Sequence, residues 1–303
     1  MNEQLATVNE GVELCYETFG DPTDPAMLLI MGLGTQMVAW SEDFCEELVR
    51  RGYFVIRFDN RDVGRSTRFD HVPPPSRREI LTRRPKRLAY SLADMADDAA
   101  GLLDALGIEK AHVVGASMGG MVGQMLAARH PDRVLSFASI MSATGSRWSG
   151  QPGMRVMPMF MLAPPDSKEA YMDRIERLFA IVGSPGFETN TEELRELAAV
   201  SYDRGVSSEG LARQLGAILA CGSRVKDLKR IKAPTVVIHG TKDRLVKPSG
   251  GKATARAIPG AKLVKIEGMG HDLPRGAWPQ LLEAITQNAE RGARATTPAA
   301  AAG

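Results

Sequence analysis

Ser117 stands in Gly115-Ala116-Ser117-Met118-Gly119, a G-x-S-x-G spacing. A β-rich run, Ala111 to Val114, precedes it and a helical pattern follows. A hydroxyl becomes a useful nucleophile only when a base takes its proton and fixed donors meet the negative charge that develops. The spacing serves the second need directly. Residues two before and two after the serine lack bulk, so strand and helix can approach closely and lift Oγ clear of a sheet. The helix N-terminus behind adds backbone N–H groups and a favourable dipole. The same pattern can also be a glycine-rich turn with an idle serine, so a base and an acid must decide.

The chain has five histidines. His112 opens the strand before the serine, His239 lies inside a strand, His130 sits at a helix end, and His71 is in a polar loop. His271 differs, because Glu267-Gly268-Met269-Gly270-His271 follows the last strand and its two glycines shape a loop that can return to the strand ends. The orienting carboxylate has to reach the far ring nitrogen of that histidine. After the strand Val134–Met141, the segment Ser142-Ala143-Thr144-Gly145-Ser146 offers no acid. After Thr235–His239, Gly240-Thr241-Lys242-Asp243 does. Asp272 is adjacent to the histidine and cannot readily reach around to its Nδ1. Asp243 is therefore the expected acid, His271 the general base and Ser117 the nucleophile.

These residues need strand ends to carry them. Short apolar runs at Ala26–Met31, Tyr53–Phe58, Ala111–Gly115, Val134–Met141, Thr235–His239 and Lys262–Ile266 alternate with helical patterns at about 36–51, 92–106, 118–129, 249–257 and 276–290. That alternation predicts a mostly parallel sheet covered by helices, with Val12–Phe19 as an edge hairpin strand. The rhythm breaks only over 143–226, where helices and loops carry Gly and Pro breaks and no strand pattern. The expected organisation is a sheet core of 1–142 and 227–292, a helical cap of 143–226 inserted over the strand ends, and a frayed tail at 293–303. A substrate pocket belongs under such a cap.

Composition narrows the class. At 303 residues with 44% hydrophobic and 24% charged, the chain can bury a large core. A net charge of +2 gives no global field to recruit nucleic acid. No apolar run approaches the length of a membrane span. Three scattered cysteines suit neither a disulfide framework nor a zinc site, and with no signal-peptide pattern the expected compartment is the cytoplasm. Neither a metal nor an organic cofactor is expected.

The blocks GASMGG, FDNRDVGRST, APTVVIHGTKDRLV and GMGHDLP stand in the order and spacing of α/β-hydrolase-fold serine esterases, and the sequence resembles that family along nearly its whole length. Among its members it is most similar to bacterial carboxylesterases and lipase-like proteins and to anthracycline methylesterases of the aclacinomycin type. The order Ser, Asp, His is the one this family uses. The resemblance implies a carboxylic-ester hydrolase working through an acyl-enzyme, with the backbone N–H groups of Leu33 and Met118 as oxyanion donors. Many relatives have His-Gly where this chain has Met31-Gly32, a departure shared with the anthracycline-type enzymes. It also implies that the charged block Asp59 to Ser66 is structural.

Substrate choice should lie in the cap. Met154, Met157, Met159 and Met161 form a dense apolar cluster, suited to an adaptable pocket wall and equally to cap packing. Gly32, Met154, Met157 and Met161 are the expected pocket residues, for a small-molecule apolar ester of small to medium size. The arginine-rich stretch 77–87 reads as a solvated loop. The same triad also serves cofactor-free perhydrolases, carbon–carbon bond hydrolases and low-turnover receptors, and oligomeric state leaves no mark in the sequence.

Overall fold

The computed structural model describes residues 2–153 and 167–296. Eight strands form one sheet: β1 (Gln4–Asn9), β2 (Val12–Phe19), β3 (Ala26–Ile30), β4 (Phe54–Phe58), β5 (Ala111–Ala116), β6 (Val134–Ile140), β7 (Thr235–Gly240) and β8 (Lys262–Ile266), in the order β1-β2-β4-β3-β5-β6-β7-β8. β1 and β2 run antiparallel to their neighbours and every pairing from β4 to β8 is parallel.

The parallel centre is buried on both faces, which is why β3 reads as an unbroken apolar run and β5, with every residue buried, departs from one only at His112. Leu28 and Ile30 of β3 point to a core completed by α3 (Leu92–Ala105) and α4 (Met118–Arg129). Met27 and Leu29 point the other way, to α1 (Glu42–Val49) and α10 (Trp278–Thr296).

Three details differ from the sequence reading. The edge is β1 and not Val12–Phe19, because Gln4–Asn9 is mostly exposed and shows no apolar run. Part of the arginine-rich stretch is a short helix, α2 (Arg77–Thr82), started by a capping box between Ser76 and Glu79. The last helix continues to Thr296, past the point where a frayed tail was expected.

Between β6 and β7 the described residues hold α5 (Lys168–Val182), α6 (Thr191–Arg204), α7 (Ser208–Cys221) and the short α8 (Val225–Leu228), with no strand. Arg204 and Arg213 fix this insert to the loop after β4. Arg204 bridges Asp59 at 2.8 Å, and Arg213 grips Asp62 through two contacts of 2.9 Å, all four side chains being buried. Where the chain leaves the sheet and returns, Arg224 closes the gap. Its backbone N–H donates to the Thr144 carbonyl at 2.8 Å, and its guanidinium donates to the Ala143 carbonyl at 2.6 Å and to Gln124 of α4 at 3.0 Å. Between β7 and β8 lies α9 (Ser249–Ala257).

Candidate active site

Ser117 joins β5 to α4 with φ 54° and ψ −117°, a conformation L residues rarely adopt. The surrounding crowding demands glycine: a Cβ on Gly119 would lie 2.0 Å from the Ile30 carbonyl oxygen. This turn carries the serine side chain out at the carboxyl end of the sheet.

His271 reaches it from the loop after β8, with Nε2 at 3.0 Å from Ser117 Oγ and Nδ1 at 2.8 Å from Asp243 Oδ2. Asp243 is buried at the turn after β7, where its Oδ1 accepts the backbone N–H groups of Leu245 and Val246. His239 Nε2 lies 3.4 Å from the same carboxylate and 2.7 Å from the Val246 carbonyl, so it packs against the back of this turn. Burial alone would raise the Asp243 carboxyl. The His271 charge and the hydrogen bonds from His239 and His271 outweigh it and hold the group below its ordinary range. An ionised carboxylate at Nδ1 fixes the tautomer that leaves Nε2 free to accept the serine proton.

The other histidines stand apart from this line. Burial pushes His112 down to about 4, against Ser136 and the edge of Tyr53, while His130 pairs with Asp97 on the surface. Asp272 turns away from the imidazole to Ser184, and burial raises its carboxyl.

Gly32, Leu33 and Met118 border the cleft above Ser117. The loop after β3 approaches so closely that a Cβ on Gly32 would sit 3.2 Å from Ser117 Cβ. Neither the Leu33 N–H nor the Met118 N–H, the latter in the first turn of α4, has a hydrogen-bond partner among the described residues. Asn60 Nδ2 donates to the Met31 carbonyl at 3.0 Å, so the charged block after β4 supports this loop from below.

The cleft measures about 1930 Å³, with sheet-end loops as its floor and α5, α6 and α7 as its other wall. Phe179 of α5, Leu197 of α6, and Leu211 and Leu215 of α7 face it. Met154, Met157, Met159 and Met161 lie outside the described residues.

Sequence reasoning missed the second set of supports under the histidine loop. At the end of α5, the Val182 carbonyl accepts the His271 N–H at 2.7 Å. Ser184 Oγ accepts the Gly270 N–H at 2.7 Å while donating to Asp272. Gly186 N–H donates to the Gly268 carbonyl at 3.0 Å. The one available signal was the Gly-Ser-Pro-Gly break at 183–186, which marks a turn without naming what it touches.

Among the described residues no group of His, Cys, Asp or Glu could hold a metal ion, and no helix is long and apolar enough to cross a membrane. The family described as alpha/beta hydrolase fold matches residues 25–274. The chain is 31% identical over 298 residues to rhodomycin D methylesterase of Streptomyces peucetius, covering 91% of this chain and 95% of that protein. It is 28% identical over 260 residues to 3-oxoadipate enol-lactonase 2 of Acinetobacter baylyi, covering 85% and 86%. The solved enol-lactonase of Burkholderia xenovorans LB400 superimposes with a TM-score of 0.71 at 26% identity, over 96% of this chain and 100% of that one. The chain belongs to the α/β hydrolase fold family and is a carboxylesterase-like hydrolase.

Proposed function

We propose that this protein hydrolyses apolar carboxylic esters with Ser117 as nucleophile, His271 as general base and Asp243 as the residue that orients it. The observation that carries the reading is the continuous line from Ser117 Oγ to His271 Nε2 at 3.0 Å and from His271 Nδ1 to Asp243 at 2.8 Å. Oγ attacks the ester carbonyl carbon as its proton passes to Nε2. The tetrahedral oxyanion is held by the N–H groups of Leu33 and Met118, and the imidazolium returns the proton to the departing alcohol. A water deprotonated by His271 then cleaves the acyl-enzyme to the acid and free Ser117.

Residues 1–142 and 227–292 act as the catalytic core and 143–226 as a cap that forms the substrate wall. A cleft of about 1930 Å³ with aromatic and aliphatic side chains on the cap side suits an ester with a bulky apolar part. The similarity to rhodomycin D methylesterase points the same way, towards a small alcohol leaving a large acyl body.

The test pairs a substrate with a label. Ser117→Ala should lower turnover of p-nitrophenyl esters on the order of 10⁴-fold in a folded protein. A phosphonofluoridate should add to Ser117 alone, read by peptide mass mapping. Labelling elsewhere, or a variant retaining a tenth of the activity, overturns the assignment.

A further inference from the structure

The loop that carries Leu33 is gripped from the insert. Gly34 donates its backbone N–H to Gln214 Oε1 at 2.8 Å, and Gln214 Nε2 donates to the Arg61 carbonyl at 2.8 Å. Gln214 is a fully buried residue of α7, so one side chain ties the loop after β3 to the loop after β4. Three residues earlier on the same helix face, Leu211 closes on the loop: a Cβ on Gly34 would lie 2.7 Å from Leu211 Cδ1.

The direction of the Leu33 N–H depends on this turn. Thr35 N–H donates to the Gly32 carbonyl at 3.2 Å. The Gly32–Leu33 peptide is planar and trans, so the Leu33 N–H must point opposite to that carbonyl. Gly34, at φ +63°, is the middle of the turn, and glycines on both sides of Leu33 give the segment little stiffness of its own. What holds the middle is the Gln214 amide. Without it the part-buried Gly34 N–H, crowded by Leu211, loses its partner, and the turn gains by rearranging to satisfy it.

We propose that Gln214 is a positioning residue for oxyanion stabilisation: from the insert it fixes the turn that aims the Leu33 N–H at the reacting carbonyl. The proposal rests on the reading of Leu33 as an oxyanion donor. It makes the insert part of the catalytic geometry as well as a wall for substrate.

Gln214→Met keeps the volume and removes both hydrogen bonds. Losing an oxyanion donor costs about 10² to 10³ in kcat, and a misaimed one should cost about 10- to 100-fold. The loss should fall on kcat, with KM within about twofold. An aryl trifluoromethyl ketone takes the serine Oγ on its carbonyl carbon and places the resulting oxyanion in the hole, so its inhibition constant should weaken by the same factor. The acid limb of the pH–rate profile should not move, because the His271 line is untouched. Hydrogen exchange of peptides covering 32–36 should speed up.

A kcat loss without matching weakening of the ketone would make Gln214 a general packing residue and overturn the proposal. So would unchanged kcat in a folded variant. Should Gln214→Met fail to fold, the wild type still decides: its Gly34 amide is expected to exchange at least about 100-fold slower than an open peptide, and an unprotected amide sinks the idea. If the wild type has no turnover that depends on Ser117, the esterase reading fails and the oxyanion role of Gln214 fails with it, an outcome distinct from a variant that keeps its kcat. The exchange measurements would still report the grip of Gln214 on the loop.

Discussion

The sheet-end loops and the inserted helices meet at the same cleft but contribute differently to it. The loops after β5, β7 and β8 present the proposed reacting side chains, Ser117, Asp243 and His271, each within a few residues of a strand end. The insert presents no reacting group among its described residues. It supplies hydrogen bonds instead, from Gln214 to the loop after β3 and from Val182 and Ser184 to the loop after β8. On the proposed reading, chemistry sits on short-range structure, whereas its alignment depends on contacts between residues far apart in the chain. On the proposal made for Gln214, a lid that merely covered substrate could be loosened without touching the reaction, and this insert could not.

The sharpest test on the sheet side is Asp243→Asn, which keeps the shape and removes the charge that sets the His271 tautomer. Turnover of p-nitrophenyl butyrate should fall on the order of 10³- to 10⁴-fold at unchanged fold, and a fall below tenfold would separate Asp243 from the chemistry.

On the insert side, Arg213→Met strands the buried Asp62 carboxylate, which would keep only Tyr90 and the Phe69 N–H. Breaking a buried pair in this way costs about 3–5 kcal/mol. Urea unfolding of the whole chain should record it. A loss under 1 kcal/mol would mean that the insert rests on the core without being fastened to it.

A smaller effect should separate wall from scaffold. Leu215→Ala trims a partly buried side chain facing the cleft. At about 0.8 kcal/mol per methylene, octanoyl esters should lose roughly tenfold in kcat/KM while acetyl esters barely change. Equal losses on both would make Leu215 a support.

The smallest is a pH effect at Asp272. Burial raises this carboxyl in the folded state, so the folded chain takes up its proton before the unfolded chain does. Wild-type stability should thus gain from Asp272 as pH falls from 7 through its folded pKa, and the gain should level off below the unfolded value of about 3.9. Asp272→Asn keeps a partner for Ser184 and lacks this titration. The difference in Tm should favour the variant at pH 7 and shrink on acidification; a difference constant from pH 4 to 7 would contradict the raised carboxyl.

Much of the sheet side was legible because its signals are local. Apolar runs of strand length mark β3, β5 and β7, and two glycines flanking Ser117 describe a turn without reference to anything distant. Where a local signal is weak, so was the reading. β1 pairs through its backbone and exposes most of its side chains, so no periodicity announces it. The start of α2 was written in Ser76-Arg77-Arg78-Glu79, but the arginines that follow dominate the composition. The insert was legible as a strand-free helical segment, but the contacts by which it holds the sheet-end loops were not. Gln214 looks like any helical glutamine until the crossing of α7 over Gly34 is known, and Ser184 looks like a turn residue until Gly270 lies beside it.

Arg224 bears on whether the insert could be exchanged for another. By joining the outgoing strand end at Ala143 and Thr144 to the returning chain and to Gln124, it makes exit and re-entry a single doorway. A segment whose two ends already meet can be swapped as a cassette without reorganising its host. The seams of such a chimaera belong on the far side of the doorway, after Gly145 and before Gly222, so that the Arg224 clasp stays with the recipient. On the proposal made for Gln214, a graft that also carried its own Leu211 and Gln214 equivalents would bring its wall together with the hands that hold the loop, and one lacking them would fold as a roof over a slowed serine.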